Sequence, residues 1–364
     1  MIRLAWPDLG EDELAAVAEV FETGQLTMGP KVGEFEEQLA RACGVDHAVA
    51  VSSGTAALHL AVLALGLGEG DEVIVPAYTF PATANVVALC GARPVLVDVD
   101  PETMNVRPEA VADAVTERTR AVIAVHLFGR PARWEDVEAV VPEGVDVLED
   151  AAGALGARRG GRPCGGLGRL GCLSFHPRKI VTTGEGGAVT TDDAALAETI
   201  RSMRHHGWRD SRMPAPGFNY RLPDVLCAVG IPQLRRLEAL LATRERLAAA
   251  YAARLEGVAL LPSADDGDRH GWQAYVVQVE RREEALRALR EAGIEAQIGT
   301  YALHRLEAYA DQGPYPGADA VYERALALPF HNRLSEAELD RVGEVVTAAT
   351  GGRRPPASPA HSPR

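Results

Sequence analysis

Two N-terminal segments carry a helical signature. Glu11–Thr23 has helical composition, and Val32, Phe35, Leu39 and Cys43 recur at helical spacing. Five short β-branched runs follow: Ala48–Val51, Glu72–Val75, Pro94–Val97, Ala121–Val125 and Val145–Leu148. Helical patterns lie between most of them, at Ala56–Leu65, Ala82–Leu89 and Trp134–Val140. This alternation predicts an α/β fold with a mostly parallel sheet covered by helices. In such sheets ligands sit beyond the carboxyl ends of the strands. After Leu222 the pattern changes. Val225–Leu255 reads as a long helix interrupted near Pro232, followed by a strand at Gln273–Val279 and helices at Arg282–Ala292 and Glu336–Ala349. We therefore expect a large domain over residues 1–222, onto whose neighbour the N-terminal segment can pack. A linking helix and a smaller α+β domain are expected over 223–350. The proline-dense segment 351–364 has almost no apolar residues and is expected to be a disordered tail.

Charge and cysteine content narrow the function classes. The net charge of −14 argues against general binding to nucleic acid or a membrane surface. There is no apolar run long enough for a membrane-spanning helix, and Met1–Pro7 lacks the apolar core of a secretory signal. Cys43, Cys90, Cys164, Cys172 and Cys227 are odd in number and scattered. They predict a reduced, cytoplasmic protein with buried thiols and no metal site. Lysine is nearly absent: Lys31 and Lys179 stand alone among 37 basic residues. A lysine retained in such a chain draws attention, because arginine cannot be deprotonated to form an imine.

Four segments carry candidate chemistry. Ser52-Ser53-Gly54-Thr55 follows a strand and opens a helix, as a phosphate-binding turn does. A plain N-capped helix explains the same residues. Val147-Leu148-Glu149-Asp150 is an apolar strand ending in two acids, which suit either a ligand crevice or a solvated cap. Ser174 and Lys179 precede the glycine-rich turn Gly184-Glu185-Gly186-Gly187. Ser174 can bond an anion, and Lys179 is either a surface lysine or an imine-forming amine. Phe218-Asn219-Tyr220-Arg221 joins the two expected domains, by phosphate contact or by simple packing.

Taken together, these residues point to pyridoxal phosphate. Its aldehyde needs a lysine, its pyridine nitrogen a carboxylate, and its phosphate a helix N-terminus with hydroxyls. Its ring needs an apolar cover, for which Phe80 is placed. Several segments then match one family in its order. They are Gly24-Gln25-Leu26-Thr27-Met28-Gly29-Pro30, Ser53–Leu58, Pro76–Phe80, Glu149–Ala152, Ser174–Lys179 with Thr183–Gly187, and Asn219–Leu222. Over about residues 5–350 the chain resembles the DegT/DnrJ/EryC1/StrS sugar aminotransferases.

The resemblance implies a fold-type I pyridoxal phosphate transferase. It implies that Lys179 bonds the cofactor's aldehyde and that Asp150 pairs with its ring nitrogen. Gly54, Thr55 and Ser174 would hold the phosphate and Phe80 would stack on the ring. Asn219 would reach the phosphate of the partner subunit's cofactor, so the site would need a homodimer. Thr27, Met28, Tyr220, Arg221, Tyr301 and His304 lie in segments that approach substrate. The implied reaction moves an amino group, from L-glutamate as donor, to a nucleotide-linked keto-sugar. A cyclitol ketone is the alternative acceptor, and a non-catalytic regulator on the same fold is a further reading. Lys179 argues against a dehydratase branch that has histidine there. One position departs from the family: Gly153 stands where a Gln or His often contacts the cofactor's phenolic oxygen.

Overall fold

A computed structural model describes residues 1–352; the expected tail from residue 353 onward lies outside the described residues. The central sheet has seven strands: β1 His47–Val51, β2 Glu72–Pro76, β3 Arg93–Val97, β4 Thr119–Val125, β5 Asp146–Asp150, β6 Leu170–Ser174 and β7 Gly187–Thr191. Their spatial order is β1-β7-β6-β5-β4-β2-β3. All run parallel except β7, which is antiparallel to both β1 and β6. The strands β6 and β7 were not anticipated from the sequence. Each is short and rich in small residues, Leu-Gly-Cys-Leu-Ser and Gly-Ala-Val-Thr-Thr, so neither shows a long β-branched run.

Helices cover both faces of this sheet. On one side α3 (Gly54–Ala64) and α4 (Ala82–Leu89) bury Leu58, Leu60, Val86 and Val87 against Ile123 and Leu148. On the other, α2 (Pro30–Cys43) and α6 (Trp134–Val140) bury Phe35, Leu39, Trp134 and Val137 against Val122, Ala124 and Val147. The residues Val32, Phe35, Leu39 and Cys43 are all buried, as their spacing requires.

The long helical stretch is two helices, α8 (Asp224–Arg235) and α9 (Leu237–Leu255), numbered after α1 (Glu11–Thr23), α5 (Pro108–Ala114) and α7 (Ala194–Arg204). The break falls at Arg236 and not near Pro232, which sits inside α8. Arg236 leaves helical geometry and pairs with Glu13 on α1 at 3.1 Å.

A second, antiparallel sheet joins β8 (Tyr275–Gln278), β10 (Ala325–Leu328) and β9 (Gln297–Ile298) in that order. Its apolar face packs Tyr275, Val277 and Leu326 against Tyr251 of α9 and Leu339, Val342 and Val346 of the C-terminal helix Glu336–Thr350. Ile2 joins this cluster, and its backbone bonds Gly293 O and Glu295 N at 2.9 Å each. No helix among the described residues is long and apolar enough to cross a membrane.

The end of β5 is held from behind. Side chains alternate across a strand, so Glu149 and Asp150 face opposite sides. Glu149 is fully buried and accepts bonds from Gly165 N and Leu167 N (2.6 Å each), Gly168 N (2.9 Å) and His126 Nε2 (3.0 Å). The other His126 nitrogen accepts from Ala132 N at 2.9 Å, so the ring is the neutral Nε2–H tautomer. Cys164 lies beside this pair. We predict that Glu149→Ala lowers unfolding free energy by about 3 kcal/mol or more, because it strands several buried donors. The urea unfolding midpoint, compared with wild type, checks it.

Candidate active site

The parallel strands end on one edge, and the candidate residues collect there. After β1 ends, Ser53 caps α3, its Oγ accepting from Ala56 N at 3.0 Å. Gly54 opens the helix under a tight constraint. A Cβ on it would lie 2.8 Å from Ser174 Cβ and 3.3 Å from Ser174 Oγ. Only a glycine lets α3 start this close to the end of β6. Gly54 and Ser174 are thereby brought together, with Thr55 beside them in the helix's first turn. A helix start next to a serine suits an anion.

Asp150, the last residue of β5, is buried and fixed by two bonds. Thr83 Oγ1, from the first turn of α4, donates to its Oδ2 at 2.8 Å. Ala152 N donates to its Oδ1 at 3.2 Å. Thr79 Oγ1 lies 3.3 Å from Thr83 Oγ1 and extends the chain of hydroxyls. Burial pushes the Asp150 carboxyl above its usual pKa, and Thr83, Ala152 and the Lys179 charge pull it back.

Lys179 sits at the end of a turn fixed by Lys179 N donating to His176 O at 2.8 Å. Thr182 and Thr183 clamp that turn, since Thr182 Oγ1 (2.8 Å) and Thr183 N (3.0 Å) both donate to Phe175 O. Burial holds the Lys179 ammonium below the ordinary lysine pKa, while Asp150 opposes the shift. A lowered pKa supplies the neutral amine that imine chemistry requires. Lys31 is the contrast. Its hydrogen bond to Glu19 at 2.8 Å raises its pKa.

The remaining candidates fall into two groups, Phe80 with Tyr301, and Thr27, Met28, Asn219 and Arg221. Tyr78–Thr79 pairs antiparallel with Tyr301–Ala302, and this short ladder sets Phe80 beside Tyr301, ring centroids 6.2 Å apart and edge-on. Phe80 is 61% exposed, so it can cover a ligand. Thr27 bridges Pro223, and Val51 bridges Arg221, so these segments lie side by side. Thr27 and Met28 are exposed, and Met28 holds a φ of 52°, which is uncommon without glycine. Arg221 Nη1 donates to His205 Nδ1 at 2.7 Å. Burial and the neighbouring Arg221 charge lower the His205 pKa and keep it a neutral acceptor. Asn219 is exposed.

Two candidates are engaged elsewhere. The Tyr220 hydroxyl lies 3.2 Å from His59 Nδ1, and its ring stacks on Phe218 at 4.8 Å. His304 Nε2 lies 3.1 Å from Asp319 Oδ1, with its ring edge-on to Tyr315. Conversely, Thr83 was not singled out from the sequence. In Ala-Thr-Ala-Asn it reads as one more small helical residue, and only the fold sets it against Asp150.

A doubly wound sheet with a lysine, a buried carboxylate and an anion cradle at one edge defines a pyridoxal phosphate-dependent transferase. The family model described as the DegT/DnrJ/EryC1/StrS aminotransferase family matches residues 7–347, and the chain belongs to that family. Three solved structures illustrate the likeness. The aminotransferase TlmJ from Streptoalloteichus hindustanus is 36% identical, with 96% of this chain and 99% of that one covered, at a TM-score of 0.92. The sugar aminotransferase CalS13 from Micromonospora echinospora is 30% identical over 96% and 100%, at 0.90. Spr1654 from Streptococcus pneumoniae, in its PLP form, is 28% identical over 96% and 98%, at 0.91. The protein is a pyridoxal phosphate-dependent aminotransferase.

Two outcomes follow from this geometry. Thr83→Val removes a bond that holds Asp150 and lowers its pKa. Pyridoxal phosphate affinity of the apoprotein should fall about ten-fold or more, the worth of one hydrogen bond to a charged group. Fluorescence titration measures it. The two lysines should also separate by pH. With a lowered pKa, Lys179 is the more neutral amine at pH 8, so an amine-reactive label should modify it before Lys31, as peptide mapping of the apoprotein would show.

Proposed function

We propose that this aminotransferase moves an amino group, from L-glutamate, to the ketone of a nucleotide-linked deoxysugar. The observation that carries the site assignment is Lys179, its pKa depressed by burial, sharing one strand edge with Asp150 and the α3–Ser174 anion cradle. In this reading Lys179 bonds the cofactor's aldehyde and Asp150 holds the proton on its ring nitrogen. Gly54, Thr55 and Ser174 receive the phosphate, and Phe80 covers the ring. The bound cofactor supplies the electron sink for charge formed when a substrate carbon loses its proton. Lys179, once released by substrate, carries that proton between carbon and cofactor as general acid and base. Thr83 keeps Asp150 oriented throughout.

The substrate reading rests on chemistry at the rim. The protein carries a net charge of −14, so an anionic substrate needs a local cation. Arg221, steadied by a neutral His205, keeps guanidinium donors for a diphosphate. In this reading Thr27, Met28 and Tyr301 also approach the substrate. Likeness to the sugar aminotransferase CalS13 favours a sugar acceptor. We further propose a homodimer in which the exposed Asn219 reaches the partner subunit's cofactor phosphate.

The test has two arms. Borohydride reduction of the pyridoxal phosphate-loaded enzyme should tag Lys179, and Lys179→Arg should abolish both tag and turnover while leaving the fold intact. Mass spectrometry should then find amination of nucleotide-linked keto-sugars at far higher kcat/KM than the free sugars, with Arg221→Ala narrowing the gap. Equal efficiency on a free ketone would overturn the nucleotide-sugar assignment.

A further inference from the structure

Gly153 leaves a gap in side-chain chemistry that another part of the chain fills. It is the third residue past Asp150, and a Cβ placed on it would lie 3.3 Å from Gln273 Oε1 and 3.6 Å from Gln273 Cβ and Cγ. The amide of Gln273 therefore stands where a side chain at 153 would begin. It arrives from the segment leading into β8, over a hundred residues later.

That segment is pinned against the loop after β4. Gly271 N donates to Gly129 O at 2.7 Å and Gln273 N to Phe128 O at 3.1 Å. Buried Arg244 donates Nη1 to Trp272 O at 2.8 Å and to Gln273 O at 2.9 Å. The approach depends on Gly129, which has a φ of 97° and on which a Cβ would lie 2.8 Å from Trp272 N. Trp272 itself is held at a φ of 47°. Such a backbone persists only when its surroundings over-determine it. Gln273 is half-buried, and its side-chain amide, which carries two donors and an acceptor, forms no hydrogen bond among the described residues and stays open to a ligand.

We propose that Gln273 donates a hydrogen bond to the phenolic oxygen of pyridoxal phosphate, in place of a side chain at position 153. This rests on the site reading above, with Lys179 at the aldehyde and Asp150 at the ring nitrogen. On the pyridine ring the phosphate arm and the phenolic oxygen lie on opposite sides of the line joining those two points. The anion cradle is on the β6 side of β5. Gln273 hangs on the loop after β4, which is on the other side of β5. It is thus on the flank that the oxygen faces. The amide can turn its NH2 toward that oxygen, and donation there stabilises the oxygen as an anion. A less basic oxygen holds the neighbouring iminium proton less tightly.

The experiment follows visible absorbance against pH in reconstituted holoenzyme. In Gln273→Met and Gln273→Ala the midpoint should move upward by about one unit, the scale of one lost hydrogen bond. Pyridoxal phosphate affinity should fall in parallel. Adding Gly153→Gln to Gln273→Ala should bring the midpoint back toward wild type. Circular dichroism checks that each variant is folded, and the isosteric Gln273→Met guards against a void left by alanine. A midpoint and an affinity unchanged from wild type in both single variants would overturn the proposal. Failure of the underlying site reading would look different: no visible band dependent on Lys179 would form in the wild-type protein.

Discussion

Two adjacent carboxylates leave the end of β5 in opposite directions, and the site depends on that alternation. Glu149 turns toward the α6 side and gathers three backbone N–H groups and the His126 ring. Asp150 turns toward α4 and meets Thr83 and the crevice. The first acid is satisfied by protein alone, and so it fixes the loop 165–168 and the strand end. The second keeps capacity for one more donor. Its buried setting raises its pKa, so a neighbouring cation gains most by pairing with it.

Much of this was legible in the sequence. The alternation of β-branched runs and helical patterns locates five of the seven central strands, because parallel strands buried on both faces are written as apolar runs. Lys179, Asp150, Gly54 and Ser174 stand in separate segments, yet a parallel sheet must bring its carboxyl ends to one edge. Other features lack a local signal. β6 and β7 are built from small residues that fit a crowded interior. Pro232 advertises a break, yet it sits inside α8 and the helix ends at Arg236. Thr83 and Gln273 owe their positions to contacts 67 and more than a hundred residues away in the chain, which no periodicity encodes.

Electrostatics explain how an acidic chain handles anionic groups. Donor groups near the strand ends come from the first turn of α3, Lys179 and the Arg221–His205 pair. Burial lowers the pKa of both Lys179 and His205 and so shifts each toward its neutral form.

The N-terminus carries a consequence for the life of the chain before it is complete. Ile2 lies in the same apolar cluster as β8 and β10, and Leu4 N bonds Glu295, 291 residues away. At synthesis rates of about 5–20 residues per second, the first strand-like residues wait roughly 15–60 s for their partners. During that interval Ile2 lacks the apolar partners it has in the folded protein. Contacts this distant also raise contact order and slow the final closure. The Tyr78–Thr79 ladder with Tyr301–Ala302 shares this timing. Phe80 and Tyr301 therefore meet only after most of the polypeptide has left the ribosome, and the rim of the site is among the last parts of the enzyme to be born.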